Sequence, residues 1–185
     1  MKKTILGSAL SALIIMSSAH AESTDSVITS TDITIDGAIS GGDGACTVTT
    51  NKNAISLLAG KTTMLSQNDH KTTTFAPQLS ITLSGDDICN QRIEEGKIAV
   101  RFSGPTDSVE GSVLANVATG ANAAKGVGVG IFMSNFARLD LNMKGAVPVT
   151  TKPLPIDLQV VRLNGQNDFT EGTVEASLVI EIVRL

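Results

Sequence analysis

Residues 22–36 read ESTDSVITSTDITID, and their second half alternates. Val27, Thr29, Thr31, Ile33 and Ile35 fall on one face of an extended chain, with Ile28, Ser30, Asp32 and Thr34 on the other. A period of two is the signature of a β-strand. Gly37 interrupts the pattern, Ala38 and Ile39 resume it, and a loop of Ser40, Gly41, Gly42, Asp43 and Gly44 follows. An alternating strand thus stands ahead of the body of the chain, joined to it through a glycine-rich hinge.

The far end of the chain repeats the habit. Val174, Ala176, Leu178, Ile180 and Ile182 alternate with Glu175, Ser177, Val179, Glu181 and Val183. Between the two ends, short strand candidates recur at 46–50, 54–58, 78–83, 97–102, 112–116, 126–133, 137–141 and 154–163, with 173–183 closing the series. Leu79, Ile81 and Leu83 alternate with Ser80, Thr82 and Ser84, the pattern of one buried and one wet face. No stretch of helical length shows a sustained 3.6-residue period; 113–125 comes nearest and is broken by Gly120. Many short strands separated by Gly and Pro turns predict a β-sandwich.

Composition agrees. The 185 residues include 20 Thr, 16 Ile and 15 Val but only five Phe, with no Trp or Tyr, a bias toward strands. The net charge is −4, which speaks against a nucleic-acid partner.

The first 21 residues read as a signal peptide. Lys2 and Lys3 are its positive end, Ile5 to Met16 its short apolar stretch, and Ala19-His20-Ala21 its small-x-small cleavage site. The mature chain is expected to begin at Glu22, with 22–36 as an N-terminal arm and 37–185 as the domain. Without the leader the chain carries 12 basic and 18 acidic residues, a net of −6, and His70 is its only histidine. Cys46 and Cys89 are its only cysteines, and in an oxidising compartment they are expected to form one disulfide closing a loop of about 44 residues.

Several motifs invite chemistry and do not support it. Gly60-Lys61-Thr62 resembles the end of a phosphate-binding loop, but Ile55 stands where the first glycine is needed. Gly126-Val127-Gly128-Val129-Gly130 lacks the dinucleotide spacing and is better read as a sheet position tolerating close backbone approach. His70, in the polar run Gln67-Asn68-Asp69-His70-Lys71, reads as a solvated loop residue rather than a catalytic base. Asp86-Asp87 and Glu94-Glu95 are adjacent in sequence and read as solvated loop charge. Neither an enzyme, a cofactor nor a metal site is expected.

The order of these features resembles the type 1-like fimbrial subunits of the bacterial chaperone–usher pathway, over nearly all the mature chain. The resemblance rests on the Ile-x-Gly-x-Ile step at Ile35, Gly37 and Ile39 ahead of Cys46, and on the segment from Ile55 to Gly60. It continues through Phe75-x-Pro-x-Leu-x-Ile-x-Leu leading to Cys89, Val100-Arg101-Phe102-Ser103-Gly104, and the glycine run ending at Ile131. The 154–163 segment matches the family's penultimate strand, and Gly172 is fourteenth from the end, where such subunits carry glycine.

The resemblance implies an incomplete immunoglobulin-like sandwich, all-β, in a pilin that polymerises by donor-strand complementation. Val27, Thr29, Thr31, Ile33 and Ile35 would be the donor strand. Gly172, Leu178, Ile180, Ile182 and Arg184 would border the acceptor groove and meet a periplasmic chaperone before assembly. The other implied partners are further fimbrial subunits, an outer-membrane usher and a host surface receptor, with export through the periplasm to the cell surface. One departure stands out: the family carries Tyr next to last, and here Arg184 precedes Leu185. Two rival expectations are a minor tip or adaptor subunit with direct adhesive binding, and a self-sufficient secreted β-sandwich binding module.

Overall fold

A computed structural model describes residues 27–38, 45–60, 63–143, 145–166 and 169–185. The expected signal peptide, the first residues of the arm, and residues 39–44 of the hinge lie outside the described residues.

The chain is mostly β-strand and forms two sheets. In the first, the strands run in the order β10 (Ala146–Pro148), β6 (Ile98–Ser103), β12 (Val174–Arg184), β1 (Val27–Ala38), β3 (Leu58–Gly60). In the second the order is β2 (Cys46–Thr50), β5 (Leu79–Gly85), β11 (Leu154–Arg162), β8 (Val127–Met133), β7 (Leu114–Ala115). Two short strands flank this path: β4 (Leu65–Ser66) lies beside β11 and β9 (Arg138–Leu139) beside β8.

The alternation read in the sequence is the burial pattern of the long strands. Val174, Ala176, Leu178, Ile180 and Ile182 are buried along β12, and Leu79, Ile81 and Leu83 along β5. They join Val100, Phe102, Val129, Ile131, Ile156 and Leu158 in one core. Side chains two residues apart share a face, so each strand contributes a row. A core of this kind is the main source of stability, at roughly 1.5–3 kcal/mol per fully buried aliphatic side chain.

The second sheet departs from the one-wet-face expectation around β8 and β11. Phe132, Val161 and Val113 form a second buried cluster, with Leu65 and Leu163 packed against it. Segments 63–78 and 105–113 therefore cover this part of the sheet. Close packing on both sides accounts for the glycines of β8. A Cβ at Gly128 would stand 2.7 Å from the Leu114 carbonyl oxygen, and one at Gly130 2.9 Å from the Phe132 ring.

Four sequence expectations are corrected. Asp86-Asp87 and Glu94-Glu95 are not plain loop charge, because Asp87–Glu94 is a helix, α1. Asp86 caps it, its Oδ1 accepting from Cys89 N (2.8 Å), and the buried residues Cys89 and Ile93 lie one turn apart. Two turns are too short to display a helical period. Second, Gln67 is fully buried rather than solvated, although His70 beside it is exposed. Third, Gly37 does not interrupt the first strand, since β1 runs through it to Ala38. The 54–58 candidate is also displaced: Ile55 and Leu57 are buried in irregular chain, and the strand proper is β3.

Candidate functional site

The arm is built into the first sheet. β1 lies between β12 and β3, strands that are not otherwise neighbours. Its start runs antiparallel to β3, with Val27 opposite Gly60, Ile28 opposite Ala59 and Thr29 opposite Leu58. The rest runs parallel to β12, with Ser30 opposite Val174, Ile33 opposite Ala176, Ile35 opposite Leu178 and Gly37 opposite Ile180. The register shifts between Ser30 and Ile33 as the strand passes from one partner toward the other. A local irregularity of this kind lets a strand bend and re-aim.

The expected donor residues thus meet two different partners. Ile33 and Ile35 stand beside buried residues of β12, whereas Val27 and Thr29 stand on the β3 side. Thr31 falls within the register shift.

The expected groove residues divide as well. Leu178 and Ile180 lie opposite the arm on one edge, and on the other Val179 and Ile180 pair with Ser103 and Phe102 of β6. Ile182 and Arg184 lie beyond the end of the arm, paired with Val100 and Ile98. Arg184 is exposed. Arg101 of β6 and Glu181 of β12 face each other at 3.9 Å, half-exposed, a contact of small energetic weight.

Gly172 sits where β12 begins, at φ +145°, a conformation that favours glycine. A Cβ there would lie 2.1 Å from the Asn122 carbonyl oxygen, so the chain passes against the 122–124 loop. Thr173 N donates to Asn122 O (2.7 Å) and Ala124 N to Thr173 O (2.9 Å). Asn116 completes the attachment, its Nδ2 donating to Ala124 O (2.8 Å) and Thr173 O (3.1 Å), its Oδ1 accepting from Glu175 N (2.8 Å). Nothing in the sequence pattern marks Asn116, because its role depends on three segments meeting.

At the start of β2, Cys46 is joined to Cys89 of α1 in a disulfide, with Cα atoms 5.4 Å apart. Asp86 ties the same corner together, since its Oδ2 accepts from Ala45 N (3.0 Å), the residue at which the described chain resumes after the hinge. That bond, then the one from Cys89 N, holds the Asp86 carboxyl below its ordinary value. Asp107 is a second anchor. Burial pushes its carboxyl up, but donors from Glu110 N, Gln67, Val113 N and Val109 N outweigh burial and leave it lowered.

His70 stays exposed, and its backbone carbonyl accepts from Arg138 N (2.8 Å). Among the described residues, no group of three His, Cys, Asp or Glu is placed to hold a metal ion, and no helix is long and apolar enough to cross a membrane. No protein-family model matches the chain, and no curated protein matches it.

Proposed function

We propose that the chain is a structural subunit of an adhesive surface fibre of the chaperone–usher type, an incomplete immunoglobulin-like sandwich that polymerises by donating its N-terminal strand. The observation that carries this reading is the place of β1. It is the first long strand among the described residues, it precedes the glycine-rich stretch 40–44 in sequence, and it fills a slot between β12 and β3.

A strand so placed is replaceable in principle. Lifting it out leaves β12 with an open edge from Val174 to Glu181 beside the buried row of Ala176, Leu178 and Ile180. An open edge with an apolar face wants a partner strand. Main-chain bonds give such strand addition its affinity, and alternate side chains give it specificity. The arm of a second copy carries the same sequence and fits the same slot.

The chain's own arm competes from the same molecule, at the high effective concentration a short tether gives. Exchange between copies therefore requires the edge to be held open or covered during transit, the part that a periplasmic chaperone and an outer-membrane usher would play. Surface display and cell adhesion follow as the role of the fibre.

The experiment is the double substitution Ile33→Asp with Ile35→Asp, introduced in the native cells. The proposal expects folded, exported subunit and no fibres by electron microscopy. Fibres of normal number and length from this variant would overturn it.

A further inference from the structure

The second sheet has a gap. β11 pairs with β8 along one edge from Ile156 to Arg162. Its other edge is shared, with β5 on Leu154 to Ile156 and β4 on Val161 and Arg162, so residues 157–160 have no strand partner on that side. Gln78 stands in for one. Its backbone N donates to Ile156 O (3.1 Å) and its Oε1 accepts from Leu158 N (2.8 Å).

A cavity of about 300 Å³ opens at this gap. Asp157 lines it and is only 1% exposed. Its Oδ2 accepts from Ala76 N (3.1 Å) and Gln159 Nε2 (2.7 Å), while Oδ1 is buried without any hydrogen-bond partner. A buried carboxylate oxygen left unpaired is costly and marks the place of a missing partner.

That partner is not Arg138. Asp157 is the register partner of Phe132, and Phe132 of Arg138, which puts their backbones two strands, or about 10 Å, apart. The terminal nitrogens of Arg138 are engaged elsewhere, Nη2 on Gln67 O (3.0 Å) and Nη1 on Ser112 O (3.0 Å) and Ser112 Oγ (3.2 Å), while its Nε is buried without a hydrogen-bond partner.

We propose that this cavity binds a small alkylammonium ion, with its charged end on Asp157. The rest of the lining selects for that chemistry. Ser56, Thr63 and Thr74 supply neutral oxygen acceptors for further N–H groups, and Leu57, Met64 and Val160 supply apolar wall for a short alkyl chain. Among the described residues no cationic side chain lines the cavity to favour an anion, and no aromatic ring lines it to stack on a sugar. A single carboxylate is too few charged oxygens for Ca²⁺.

The test is a ¹⁵N-labelled sample of the monomeric, oxidised protein titrated with n-propylammonium chloride and followed by amide NMR. Saturable shifts of the Ala76, Leu158 and Gln159 amides are expected, with a Kd of about 1 mM, within reach of a ligand this small. n-Propanol, with the same chain and no charge, and sodium chloride at equal ionic strength are expected to give no saturable shift. Asp157→Asn retains an acceptor for Ala76 N and is expected to weaken binding by about tenfold or more. Equal responses to propylammonium and propanol in the wild type would overturn the proposal without recourse to any variant. So would the absence of a saturable shift, or unchanged affinity in folded Asp157→Asn.

Discussion

Ile35 and Leu178 are register partners in a parallel pairing that joins the first long strand of the chain to the last. Their separation in sequence spans nearly the whole domain. Leu178 itself is fully buried. The first strand therefore completes a sheet whose inner rows are contributed by the body of the protein.

A protein truncated before Cys46 is expected to expose the β12 edge and lose stability. A synthetic peptide of residues 22–38 added in trans is expected to restore it, raising Tm in a concentration-dependent way, since a ligand that binds only the folded state stabilises by mass action. Thermal denaturation across a peptide series checks this. A peptide with Asp at positions 33 and 35 is expected to leave Tm unchanged.

Removing the disulfide by Cys46→Ser with Cys89→Ser is expected to cost about 4 kcal/mol on the chain-entropy account of a loop of this length. Urea unfolding of oxidised wild type and the double variant measures the difference. The helix and β2 are also tied through Asp86, so the variant is expected to keep its fold near neutral pH and lose it on acidification sooner than the wild type.

The acid dependence has a definite sign. Asp107 and Asp86 both titrate below their ordinary value of 3.8 in the folded protein. A carboxyl lowered by folding contributes stability that is present in full above its unfolded pKa and is lost as pH falls through the folded one. Stability is therefore expected to fall below about pH 4, with Asp107→Asn flattening that fall while lowering stability near neutrality. Chemical denaturation at a series of pH values reads both effects.

Two substitutions, one in β12 and one just ahead of it, separate packing from backbone. Leu178→Ala is expected to cost about 2–5 kcal/mol by opening a cavity in the core. Gly172→Ala is expected to destabilise by forcing the 122–124 loop away, because its Cβ would meet Asn122 O at 2.1 Å in a conformation unfavourable to L-residues. Faster hydrogen exchange of the Ala124 amide in the Gly172 variant than in the native protein, where it is bonded to Thr173 O, would identify the cause.

Much of this fold is legible in the sequence where a period of two meets a buried row. Val174 to Ile182 and Leu79 to Leu83 alternate in sequence and alternate in burial. The arm is legible as a strand for the same reason, but its neighbours are not, because pairing depends on segments far away in sequence. Helix α1 is hidden by its length, and Gln67 by its polarity, since a buried amide looks like a solvated one until Ser112 and Asn164 are seen bonded to it. Asp157 is hidden in the same way, the one acid in its strand, noticed only when residues 157–160 of β11 prove to lack a strand partner on one edge.

The central claim is that the arm of one copy fills the slot of another. It is tested most directly by an unboiled SDS gel of protein sheared from its native cells. Strand exchange predicts a ladder of multimers that collapses to a single band on boiling, the mark of an assembly held by slow unfolding rather than by covalent links. A single monomer band before boiling would contradict the account and leave the arm as a permanent part of its own sheet.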